Sequence, residues 1–298
     1  MRRSIALGIG CAILSACSPQ SEAWFAPTNG RTAFVAPSAT ATTASISATS
    51  SRPRVHLAPG TLSKLTPPPI PVFTPAADLK LPILVYHHVR PQQGWSKSTW
   101  SWKMTVSPDV FERQMAWIAE HGYTSVDLDT AVAMLKNGAP GPRKPIVITF
   151  DDNQLNAYEN GAPIMEKYGL RAVWYIITNR LDQQGVINRD RALDLHARGH
   201  SIQSHTVTHA GMTWIPPDQM DWQLQESKRV LEELTGAQVL HVAYPLTAHN
   251  ATVRERTKAA GYVTGTVMDP RYATKDSDLF KLPRIMMTDD TDLQKLLP

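Results

Sequence analysis

Pro145-Ile146-Val147-Ile148-Thr149-Phe150-Asp151-Asp152 is the clearest strand signal in the chain. An unbroken apolar and β-branched run of this length reads as a strand buried on both faces, the habit of parallel sheets. It ends in two adjacent carboxylates. At a strand end the chain turns, so both can face one cleft. The same pair can also serve as helix-capping aspartates, so alone it leaves the role open.

Working outward, short apolar runs alternate with amphipathic stretches from about residue 81. Strands are expected at 82–86, 124–127, 145–150, 172–177, 201–204, 239–244, 262–267 and 282–287. Helices are expected at about 108–121, 129–136, 157–168, 188–198, 217–234 and 250–260. Ser107 is placed to cap the first helix, and Gly138 and Gly236 to stop the second and fifth. Such alternation implies parallel βαβ units. About seven units in this length suit an α/β fold, an irregular (β/α) barrel.

Two further polar clusters sit where strands end, the place where α/β folds gather functional groups. Ser204-His205-Thr206-Val207-Thr208-His209 offers two imidazoles four residues apart, on one helical turn or converging from a tight loop. Neutral imidazole is the commonest zinc ligand, and an aspartate would complete a three-residue set with a position open for water. Tyr86-His87-His88 closes the first strand of the body. Each cluster alone is also compatible with ordinary packed or surface histidines.

The remaining sequence divides unevenly. Residues 1–17 carry +2, residues 18–80 carry +3, and residues 81–298 hold 23 Lys/Arg against 24 Asp/Glu. A body at −1 has no net pull on phosphate chains, so the overall +4 does not indicate a nucleic-acid partner. Arg2 and Arg3 precede a 13-residue apolar run that ends in Leu14-Ser15-Ala16-Cys17. That run is short for a membrane span and reads as an export signal. Its end resembles a bacterial lipobox, which implies lipidation of Cys17 and a lipid bilayer as partner; an ordinary cleaved signal is the alternative. Ser18 leans toward the outer membrane. Residues 18–80, with ten prolines and long Ser/Thr/Ala tracts, read as a disordered tether with a reach of about 45 Å. Both cysteines, Cys11 and Cys17, lie in the leader, so the body has no disulfide.

Together the clusters resemble the NodB-type polysaccharide deacetylases, carbohydrate esterase family 4. Thr149-Phe150-Asp151-Asp152 is similar to that family's first motif and Ser204–His209 to its second. The early Tyr86-His87 resembles the branch that deacetylates poly-N-acetylglucosamine exopolysaccharides. The resemblance implies a NodB-like barrel over 81–298 and metal-dependent N-deacetylation of an exported N-acetylated polysaccharide. It implies Asp151 as base, His87 as acid, and Asp152, His205 and His209 as ligands of a divalent metal, zinc by preference. Leu246 stands where a backbone N–H serves the oxyanion. The wider family's base-orienting arginine is replaced by Ala243. Arg284 is the candidate for that charge, a surface salt-bridge arginine being the alternative.

Asn153 departs from the usual glycine, and Leu246-Thr247-Ala248 from the usual aromatic-glycine pair. Trp95, Trp100 and Trp102, interleaved with Lys97 and Lys103, are the candidate sugar-binding aromatics, with Tyr244. Met212 and Trp214 stand between packing and substrate contact. Peptidoglycan or chitin oligomers are alternative substrates, a non-catalytic lipid-anchored glycan-binding scaffold is the rival class, and an exopolysaccharide secretion assembly is a partner left open.

Overall fold

The computed structural model describes residues 72–75 and 78–298. The leader, Cys17 and most of the tether lie outside the described residues. Phe73 forms an antiparallel bridge with Gly141, and Leu79 packs partly buried beside Leu81. The elements run β1 (Ile83–Tyr86), β2 (His88–Val89), α1 (Trp100–Lys103), β3 (Thr105–Val106), α2 (Pro108–Glu120), β4 (Thr124–Ser125) and α3 (Leu128–Asn137). They continue with β5 (Pro145–Phe150), α4 (Ala162–Lys167), β6 (Val173–Ile176), α5 (Arg189–Ala197), β7 (Ser201–Ser204) and α6 (Pro217–Thr235). The last are β8 (His241–Ala243), α7 (Ala251–Ala259), β9 (Thr264–Met268), β10 (Leu282–Met286) and α8 (Leu293–Leu296). All eight expected strands and six helices are present, with shifted ends. The small β2–β3 pair and α1 had no signal in the sequence, because two-residue strands are too short for periodicity to register.

Seven strands close a parallel ring in the order β1-β10-β9-β8-β7-β6-β5, with β5 returning to β1, and β4 adds to the outer side of β5. The seam between β1 and β5 is in register from Ile83↔Val147 to Tyr86↔Phe150. This is the expected (β/α) barrel.

Strand periodicity then sorts the side chains. Leu84, Tyr86, Ile146, Ile148, Phe150, Trp174, Ile176, Val242 and Tyr244 belong to the apolar layer between strands and helices. Ile83, Val147, Val173, Tyr175, Ala243 and Leu282 fill the inside of the ring, where Leu128, Ala131 and Leu135 of α3 join them. Carrying the inward parity one or two residues further brings His87, Thr149, Asp151, His205 and Arg284 into the barrel mouth. The fold thus delivers the polar residues by the same alternation that builds its core.

Candidate active site

Asp151 and Arg284 form a two-pronged ion pair, Nη1 to Oδ1 at 2.8 Å and Nη2 to Oδ2 at 2.7 Å. Both are buried. Arg284 Nη1 also donates to Thr149 Oγ1 at 3.0 Å, and Thr149 donates to the Leu84 carbonyl at 2.8 Å. Planar guanidinium suits this fork, which fixes the carboxylate in direction as well as position. Burial alone would raise the Asp151 pKa; the Arg284 charge and its two hydrogen bonds outweigh it and hold the carboxyl below its usual range. Arg284 is therefore a buried partner of Asp151, reached from the last strand.

His205 and His209 come from a loop after β7 rather than from a helical turn. Thr206 and His209 both adopt left-handed backbone, with φ of 66° and 62°. Side chains hold this shape. Gln223 of α6 accepts from the Val207 and Thr208 N–H groups and donates to Thr208 Oγ1. Ser204 Oγ accepts from the Thr206 N–H. Asp152 and Asn153 are also left-handed, at 74° and 54°. Asn153 meets the conformational demand usually given to glycine and adds a clamp. Its amide donates to the Ile177 and Ile187 carbonyls and accepts from the Ile177 N–H.

His205 Nε2 lies 3.3 Å and His209 Nε2 3.2 Å from Asp152 Oδ1. His205 Nδ1 is 2.8 Å from the Ala243 carbonyl. A carbonyl only accepts, so Nδ1 carries the proton and neutral His205 presents a bare lone pair at Nε2. Asp152 Oδ1 is buried and without a hydrogen-bond partner. Two ring nitrogens and an unpartnered carboxylate oxygen thus converge, an arrangement that fits a cation; among the described residues this is the one cluster with metal-ligand geometry.

His87 Nε2 sits 4.0 Å from Asp151 Oδ2, and His205 Nε2 3.9 Å from the same oxygen. Burial holds the His87 imidazole below its ordinary value, against the pull of Asp152 and Asp151. Leu246 has φ 56° and a side chain 51% exposed at the C-terminal end of β8.

The aromatic candidates separate. Tyr244 has outward parity, is 2% exposed and packs its phenol against Gly265, so it builds the wall and offers no face to a sugar. Trp102 is 9% exposed beneath Lys97, whereas Trp100 is 62% exposed beside Lys103. Trp95 is partly exposed, with Arg90 over its ring at 5.0 Å. Met212 is buried and Trp214 is 70% exposed. Thr149 and Gln223 are contributors the sequence reading gave no role, whereas Asn153 keeps the left-handed turn expected of it at the glycine position. Thr149 was accessible through strand parity; Gln223 had no local signal, since only the packing of α6 against the loop brings it there.

A family model for polysaccharide deacetylases matches residues 138–265. YxkH of Bacillus subtilis is 26% identical over 209 residues, 70% of this chain and 72% of that protein. The poly-beta-1,6-N-acetyl-D-glucosamine N-deacetylase of Staphylococcus aureus is 25% identical over 206 residues, 62% of this chain and 69% of the enzyme. In fold, the chain is similar to the Streptococcus pyogenes deacetylase PplD, solved with acetate, with a TM-score of 0.70 and 24% identity over 74% of this chain and all of that one. Motif order, closed ring and matched family model agree, and the chain carries a polysaccharide deacetylase domain of the NodB type.

Proposed function

We propose that this domain removes N-acetyl groups from an exported polysaccharide similar to poly-N-acetylglucosamine, with a divalent cation, zinc by preference, held by Asp152, His205 and His209. The observation that carries the reading is the convergence of the Asp152, His205 and His209 acceptors beside an ionised, arginine-held Asp151. A cation bound there would supply Lewis-acid polarisation and acidify a water. The chain's own groups do the rest. Asp151 Oδ2, facing both His87 and His205, takes the proton of a water that attacks the acetyl carbonyl. Arg284 keeps that oxygen anionic and aimed. His87, neutral at rest through burial, accepts the proton gathered by Asp151 and hands it to the departing nitrogen. The Leu246 N–H serves the oxyanion. The C–N bond breaks, water oxygen joins the carbonyl carbon, and acetate and a free amine leave.

The substrate class draws on the staphylococcal relative's named polymer and on the early Tyr86-His87 motif. The test is acetate release by the purified protein from N-acetylglucosamine oligomers and from peptidoglycan fragments, with chelator and then with restored zinc. Release from the oligomers that chelator stops and zinc restores is expected. Activity indifferent to chelator removes the metal from the mechanism, activity only on peptidoglycan reassigns the polymer, and no release from either favours the scaffold. Export and lipidation at Cys17 belong to the same proposal and rest on residues 1–17. Cys17→Ala is expected to move the protein from the membrane to the soluble fraction, and unchanged membrane association refutes the anchor.

A further inference from the structure

Trp214 lies five residues beyond His209, on the loop joining β7 to α6. The loop turns tightly, with the Trp214 N–H donating to the Gly211 carbonyl at 2.9 Å. A side-chain carbon placed on Gly211 would overlap the six-membered ring of the Trp214 indole. The six-membered ring therefore lies directly against Gly211, while the residue as a whole stays 70% exposed. Met212 between them is buried and pins the turn.

An exposed indole is unusual where a loop could turn it inward. Its location gives the exposure meaning. All ring strands are parallel, so loops after their C-terminal ends share one face of the barrel. On that face β7 and β8 are neighbours, and their loops carry the two exposed apolar side chains Trp214 and Leu246. Five residues of chain span at most about 17 Å, so the indole stands within a few sugar lengths of the His209 ligand atom. A flat, glycine-seated aromatic with a free face matches the apolar C–H face of a pyranose ring, and it does so without charge, as a repeating neutral polymer requires.

We infer that Trp214 is a stacking platform for a sugar unit flanking the one that is deacetylated, and that Gly211 exists to seat it. The inference rests on the proposed deacetylase reading. It makes the β7–α6 loop a determinant of chain length: a polymer reaches both the metal-ligand cluster and the platform, a short oligomer only one.

The test uses the full-length, zinc-loaded protein with N-acetylglucosamine dimer and pentamer. In Trp214→Ala the preference for pentamer over dimer, measured as the ratio of kcat/KM values, is expected to fall about tenfold, with the change in KM. Trp214→Phe should keep most of the preference. Gly211→Ala should lose it although the tryptophan is intact, because the indole is displaced. Calorimetric binding of pentamer to Asp151→Asn, with and without Trp214→Ala, reads the platform separately from turnover. A preference unchanged in both Trp214→Ala and Gly211→Ala overturns the platform while leaving the deacetylase reading standing. Pentamer affinity that depends on Trp214 in a protein releasing no acetate keeps the platform and overturns the deacetylase. No pentamer binding overturns the platform as well.

Discussion

The Arg284 guanidinium grips the Asp151 carboxylate through both nitrogens at 2.7–2.8 Å, although 133 residues separate them. The pair is buried and lined by Tyr175, whose ring lies 5.1 Å from the guanidinium carbon. Removing one partner of such a pair leaves an uncompensated charge in the interior, at a cost of about 3–5 kcal/mol. Arg284→Ala is therefore expected to lower turnover about a hundredfold or more and to lower the melting temperature. Arg284→Lys keeps the charge but loses the fork, and should recover stability better than turnover. Acetate release and thermal unfolding on the same preparations check this. An Arg284→Ala protein with wild-type kinetics removes the arginine from the site.

Metal content separates the two aspartates. Asp151 is tied to Arg284, whereas Asp152 faces His205 and His209. Asp151→Asn is expected to abolish turnover and keep about one zinc per chain, and His209→Ala to lose the metal. Plasma emission spectroscopy after dialysis reads both. Equal metal loss in the two variants would mean that the roles of the aspartates are exchanged.

Acid stability should carry the mark of His88. Burial and then Arg90 push its pKa down to about 4, from an ordinary 6.5. Its Nδ1 faces the Asn156 amide nitrogen at 3.1 Å, because the Asn156 oxygen is already taken by the Val89 N–H. As pH falls through 6.5 the unfolded chain binds the proton first, so folding stability is full above that value and declines until about pH 4. His88→Gln should flatten this part of the curve. Urea unfolding midpoints between pH 7 and 4 provide the comparison, and parallel curves for the two proteins would contradict it.

Gly265 sits mid-strand in β9, and a methyl group there would overlap the Tyr244 phenol. Gly265→Ala is expected to cost about 1–3 kcal/mol by overpacking. Tyr244→Leu in the same chain should return part of that loss, since it removes the obstructing ring. Chemical denaturation of the single and double variants measures the coupling. Additive losses would show that the two do not touch.

Much of this site could be read from the sequence because strand parity and motif spacing are local properties. Pro145 to Asp151 alternates outward and inward, and the same beat places His87 after Val85 and Arg284 after Leu282. Tyr244 shows the limit. Its neighbours match a motif, yet it continues the outward phase of Val242 and ends in the wall. Trp102 likewise carries the composition of a sugar-binding residue, and only its packing in the folded chain decides its burial. Gln223 acts through hydrogen bonds to the Val207 and Thr208 backbone, brought close only by the packing of α6, so no window of sequence could reveal it.

The seam of the ring lies between the body's first strand and its fifth, with the last strand on the first one's other side. A chain growing from its N-terminus presents Asp151 long before residue 284 exists. Until β10 arrives, the ring is open and the carboxylate has no counter-charge to accompany it into the interior. The chemistry of the site and the completion of the barrel are therefore a single late event in synthesis. A shortened product lacking the last 15 residues would lack both the closing strand's arginine and the competence to bury its base.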